Sequence, residues 1–154
     1  MLMVLFLILI LAIFAYVVTA KGLAKVANHV GVSPVLAWIP LVNMYVIYKA
    51  VDAKVWAYYL YLATYLTSLF TNNNLDRMGV LSLILTIVIN VTFIVTSIYL
   101  LVVIYRLTKK YDCSTVLFWI GIILFPVQIY LYYKIGQVAE QRQIEEEKEI
   151  EFTE

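Results

Sequence analysis

Side chains able to do chemistry are few in this 154-residue chain, and they are scattered. His29 is the only histidine and Cys113 the only cysteine. One of each can build neither a closed zinc site nor an internal disulfide. Asp52, Asp76 and Asp112 fall in short connections between apolar runs. No Ser/His/Asp set, glycine-rich phosphate loop or metal cluster occurs. No ionisable group lies deep in an apolar run. That counts against a proton-coupled transporter and against an intramembrane protease with paired aspartates. The expectation is a protein that is not an enzyme and holds no metal or cofactor.

The polar groups that do lie inside apolar runs are amides and hydroxyls. Asn43 and Gln128 each stand near a proline, Pro40 and Pro126, and each follows a Trp-Ile pair containing Trp38 or Trp119. Two roles fit such a pair. The amides could line a polar cavity where proline frees the backbone, or tie neighbouring helices together at about 0.6–2 kcal/mol each. Ser82, Thr86 and Asn90 recur every fourth residue and so share one helix face. They suit close helix packing, with a pore-lining stripe as the alternative. The three tryptophans and thirteen tyrosines suit anchors at the headgroup level. Trp56, Tyr58, Tyr59, Tyr61 and Tyr65 are too closely set for one interface, so some of these rings must pack on partner helices or another subunit.

These groups have to be held by membrane-embedded elements. Apolar residues make up 64% of the chain and charged ones 14%, against about 25% charged in a soluble domain. So little polar surface cannot cover so much apolar surface in water; a lipid bilayer resolves the mismatch. Residues 1–20 carry no charge and are long enough to cross the hydrocarbon core. They read as a retained signal-anchor helix, since the basic n-region of a cleaved signal is missing. In residues 21–34, Leu23, Val26, Ala27 and Val30 form a helical stripe, with Lys21, Lys25 and Asn28 off it. That pattern predicts a helix lying in the interface. Residues 35–48 are apolar but short for a span and are broken by Pro40. Residues 55–71 and 79–105 read as further spans, separated by the polar stretch 71–78. Residues 115–133 form a second proline-containing apolar segment. The fold expected is therefore all-α. It is a polytopic membrane protein with three transmembrane helices and two proline-broken segments that either re-enter or span.

An internal repeat runs through this order. Residues 33–39 (SPVLAWI) match residues 114–120 (STVLFWI) at an offset of 81, which also sets Lys25 against Arg106. Beyond the Trp the offset becomes 85, pairing Asn43 with Gln128, Tyr45 with Tyr130, Tyr48 with Tyr133 and Lys49 with Lys134. A four-residue insertion is about one helical turn, so the later side chains keep nearly the same face. The expected organisation is a membrane domain over 1–136, with repeat 1 at about 1–51 and repeat 2 at about 79–136. An acidic helical tail follows over 137–154.

Charge sets the expected orientation. With both proline-containing segments re-entrant and the N-terminus outside, ten Lys/Arg fall inside and only Arg77 outside. With all five apolar segments spanning, the split is nearly even. The acidic tail, seven Glu against Arg142 and Lys148, is then cytoplasmic. No basic face with interleaved aromatics stands apart from the membrane segments, so nucleic acid is not an expected partner.

Residues 20–43 resemble a bacterial family of small multipass membrane proteins of unknown function. The shared pattern falls on Leu23, Lys25, Val26, Ala27, Gly31, Val32 and the Leu-Ala-Trp-Ile-Pro-x-x-Asn run from Leu36 to Asn43. Similar segments occur ahead of signal-peptidase-like regions. The second copy departs from the motif, with Gly121 in place of the proline directly after Trp-Ile. The resemblance implies membrane architecture and brings no activity. The function expected is an integral accessory or scaffold subunit of the cell membrane, forming a homo-oligomer or joining a larger membrane complex. A holin-like pore or channel, or a lipid-binding or immunity protein, is the alternative.

Overall fold

The computed structural model describes residues 2–71 and 80–153. The polar stretch expected at 71–78 lies, after Thr71, outside the described residues, as does the side chain of Ser82. The described chain is all-helical: α1 (Leu2–His29), α2 (Asn43–Ala50), α3 (Val55–Thr71), α4 (Val80–Lys110), α5 (Thr115–Ile123) and α6 (Phe125–Thr153). A 3-10 turn at Pro34–Trp38 precedes α2. Two stretches, Met3–His29 and Leu83–Lys110, are long and apolar enough to cross a membrane. At 17 residues α3 is shorter.

The basic stretch after Ala20 differs from the interfacial helix expected of it. It is the last two and a half turns of α1, which runs unbroken to His29. Leu23, Val26 and Ala27 are fully buried there. The amphipathic stripe faces protein rather than headgroups, because α6 and the first hairpin lie against it. Likewise α6 passes through residues 136 and 137 without a break, so the acidic segment is its C-terminal half.

Each long helix is followed by a helix–break–helix hairpin, and the two hairpins start alike. Val32 N–H donates to the Ala27 carbonyl (2.8 Å) and Gly31 N–H to that of Asn28 (3.1 Å). Cys113 N–H donates to Thr108 (3.0 Å) and Asp112 N–H to Lys109 (3.2 Å), each 81 residues on. Both are Schellman caps, with Gly31 (φ 69°) and Asp112 (φ 50°) in the left-handed position. Ser33 and Ser114 follow with matching backbone, φ −55°, ψ 123° and φ −59°, ψ 122°.

The breaks are made by different residues. Ile39 is extended (φ −97°, ψ 117°), as a residue before proline prefers. Leu41 then turns the chain at φ 68°. In the second hairpin Leu124 is extended and Pro126 opens α6, where its missing N–H leaves no helical bond unmade. Gly121 lets α6 approach; a Cβ there would sit 3.1 Å from Gln128 Cα.

The helices pair across the two units. α1 packs along α6 and α4 touches α2, while α3 lies on α4. The core occupies the half of the molecule where α1, α2 and α4 end, with Leu23, Val26, Ile47, Tyr48, Leu107, Tyr111 and Ile135 all buried. We call that end the foot. Away from it Met3–Phe14 of α1 is exposed on every side.

Candidate functional site

The amide pair is split by the fold. Gln128 lines a cavity of about 430 Å³ between α1, α2 and α6, with Ala12, Ala15, Tyr16, Thr19, Met44 and Tyr132 among the other walls. The alanines supply the space. Asn43 is buried (8% exposed) and does not line it. Its Oδ1 makes no hydrogen bond among the described residues, whereas the buried Tyr132 hydroxyl lies beside the Gln128 side chain. The cavity is mostly apolar, with Tyr16 and Thr19 of α1 and Gln128 and Tyr132 of α6 as its polar side chains.

Trp38 contributes through its backbone: its carbonyl accepts from the Tyr16 hydroxyl at 2.6 Å. The Trp38 and Trp119 rings and Pro40 and Pro126 are exposed. Trp119 packs edge-on to Phe118 and lines an apolar recess between α4 and α5. Asn90 is exposed on α4, its Nδ2 donating to the Thr86 carbonyl at 2.9 Å. The buried Thr86 hydroxyl has no hydrogen bond among the described residues. Farther along, Thr92 and Thr96 bond back to their own helix.

A second polar cluster, not foreseen as a site, gathers at the foot. Lys110 Nζ donates to the Ala50 carbonyl at 2.6 Å and lies 3.9 Å from Asp52. Arg142 of α6 donates to the Lys110 carbonyl at 2.9 Å and to the Asp112 carboxylate. Each cation thus meets the negative end of a helix, α2 and α4 respectively. Lys25 pairs with Glu140, joining α1 to α6. Sequence patterns did not reveal these roles, since the partners lie 30 to 115 residues apart. The only available signal was that Lys110 stands at the end of an apolar helix. Among the described residues no three His, Cys, Asp or Glu come together to hold a metal.

Tyr111 sits at the centre of this cluster, fully buried, edge-on to His29 at 5.7 Å and beneath Arg142. Burial pushes its hydroxyl up from 10 to about 12, with Arg142 pulling it down and Glu146 pushing it up. The folded chain therefore keeps this proton after the unfolded chain has lost it. The stability this provides is complete below about pH 10 and declines as the pH climbs to about 12. The hydroxyl also has no hydrogen bond among the described residues. Tyr111→Phe is expected to leave stability at pH 7.5 unchanged or raised, and to lessen its fall above pH 10. Thermal unfolding midpoints of both proteins across that range check this; a lower midpoint at pH 7.5 would show a hidden hydrogen bond.

No known protein family, curated protein or solved structure matches the chain.

Proposed function

We propose that the chain is a non-enzymatic accessory or scaffold subunit of the cell membrane that assembles with itself or with a larger membrane complex. In this reading α1, α3 and α4 cross the bilayer with the N-terminus outside. The two hairpins re-enter from the cytoplasmic side, and the foot with the acidic half of α6 is cytoplasmic. The Tyr16–Trp38 hydrogen bond supports re-entry: it sets the first hairpin tip some 13 residues, about 20 Å, up α1 from His29. The uncharged α3 runs antiparallel along α4, with Tyr61 stacked on Phe93, which supports a third span. The resemblance of residues 20–43 to small multipass proteins agrees with that architecture.

The observation that carries assembly is Asn90. It sits near the middle of the apolar part of α4, exposed among Ile87, Val88, Val91 and Ile94, which are exposed as well. One amide proton is used on the Thr86 carbonyl, leaving the amide oxygen and the second proton facing lipid. Hydrocarbon offers those groups no partner, whereas a neighbouring helix does. Asn90→Leu is expected to weaken association by about 3- to 30-fold, the equivalent of one interhelical hydrogen bond. Native mass spectrometry of the protein, extracted in mild detergent across a dilution series, reads this directly. An unchanged complex would remove Asn90 as its basis, and conductance in a planar bilayer would favour the pore instead.

A further inference from the structure

The correspondence between the two units exposes an empty seat. α3 is held by three ring contacts, one on the second unit's long helix and two on the first hairpin. Tyr61 stacks on Phe93 (5.6 Å, 21°), and Tyr58 packs on Tyr45 (6.0 Å) and Tyr48 (5.9 Å) of the first hairpin. At offsets of 81 and 85 the seat residues Phe93, Tyr45 and Tyr48 correspond to Ala12, Tyr130 and Tyr133. Those three line one apolar groove of about 580 Å³ between α1 and α6. No helix fills it. Tyr48 under α3 is 1% exposed, but Tyr133 is 38% and Tyr130 53% exposed. Ile8, also 56% exposed, lines the groove one turn above Ala12.

We infer that this groove seats a membrane helix as α3 is seated on α4, and that its occupant is the outer face of α3 from a second copy. That face presents Trp56 and Tyr59, both more than half exposed, at the three-residue spacing of the inward Tyr58 and Tyr61. Their depth matches. Trp56 and Tyr59 rise in successive turns from Lys54, as Tyr133 and Tyr130 rise from Lys134. With Trp56 between the two groove tyrosines, Tyr59 lies over Ala12, filling the space that Phe93 fills in the other unit. Ala63, exposed one turn farther on, then meets Ile8. Association at this depth is driven by van der Waals packing, which bulky rings entering a preformed groove supply.

This inference rests on the assembly reading and adds a surface distinct from Asn90. Two tagged forms in a Cys113→Ser background, one with Ile8→Cys and one with Ala63→Cys, are coexpressed and oxidised in native membranes. A disulfide-linked heterodimer of the two tags is expected. Ala12→Trp, which plugs the groove, or Trp56→Ala with Tyr59→Ala, which empties the occupant, is expected to cut its yield by about tenfold or more. Either block suffices should the other variant fail to accumulate. No heterodimer, or linkage of the Ile8→Cys form to a different protein, overturns the inference. If the native complex keeps its size while the linkage is missing, only the groove proposal falls and assembly through Asn90 stands.

Discussion

Replacing Gly136 by alanine is expected to force α1 and α6 apart and to lower stability by about 1–3 kcal/mol, the range for overpacking a tight contact. The two helices run in parallel, with Ala15 facing Ile129 across the cavity and Lys25 bound to Glu140 at the foot. Between those levels they cross at Gly22 and Gly136. A Cβ on Gly136 would lie 2.5 Å from the Gly22 carbonyl oxygen and 2.7 Å from its Cα. A Cβ on Gly22 would overlap the Tyr132 carbonyl. All of these are backbone atoms, so no rotamer change relieves the overlap and the helices themselves must move. Close backbone approach is what small residues contribute at a helix crossing. Gly22→Ala should behave similarly. The double variant should cost less than the two single changes together, because the first displacement makes room for the second methyl. Gly31→Asn is the control. Its backbone is left-handed but nothing lies within 4 Å of an added Cβ, and asparagine tolerates that conformation. Unfolding midpoints in detergent, followed by tryptophan fluorescence, distinguish the cases. Equal midpoints for Gly136→Ala and the unmodified protein would mean that the helices do not cross there.

That crossing was not legible in the sequence, and the reason is physical. Gly22 and Gly136 stand alone in their helices, far apart in the chain, so no period or motif links them. Local patterns did reveal the long apolar helices, the Pro-broken segments and the correspondence at offset 81. Those depend on hydropathy and on residues within a few positions of one another. The stripe Leu23, Val26, Ala27 was legible as a buried face, but its covering was not. Amphipathicity reports that a face leaves water and is silent on whether protein or headgroup receives it. The tyrosines show the same limit. Read as interface anchors, they include Tyr48, Tyr58, Tyr111 and Tyr132, which the fold buries. Asn43 and Gln128 correspond in the sequence as amides near a proline. What differs between them is set by their neighbours: the alanines of α1 leave a cavity beside Gln128, whereas Asn43 is enclosed.

Removal of the Arg142 side chain is expected to open the foot without unfolding the rest. Arg142 ties the acidic half of α6 to the end of α4. Its guanidinium reaches the Lys110 carbonyl, the Asp112 carboxylate and the face of the Tyr111 ring at 5.7 Å. Exposed ion pairs contribute only about 0–1 kcal/mol, and the ring contact about 0.5–1 kcal/mol more. The sum is small beside a global stability of roughly 5–15 kcal/mol, so the effect belongs to local opening. The Lys25–Glu140 pair, about one turn beyond the glycine crossing, keeps that half of α6 attached. Cys113 reports the opening, because it is buried (5% exposed) and is the only thiol in the chain. Burial also pushes the thiol upward, opposed by Lys134 and Arg142 and reinforced by Asp112. In the closed state it therefore presents little thiolate to an alkylating reagent. Arg142→Ala is expected to raise the rate of Cys113 alkylation by a maleimide by about 5- to 30-fold, the equivalent of 1–2 kcal/mol of opening. Arg142→Lys should fall between, since it keeps the charge and loses the fork that serves carbonyl and carboxylate together. Loss of the cation by itself would make the thiolate scarcer and slow the reaction. A rise is thus a signature of exposure, and a rate at or below that of the unmodified protein would show that Arg142 does not hold the foot closed.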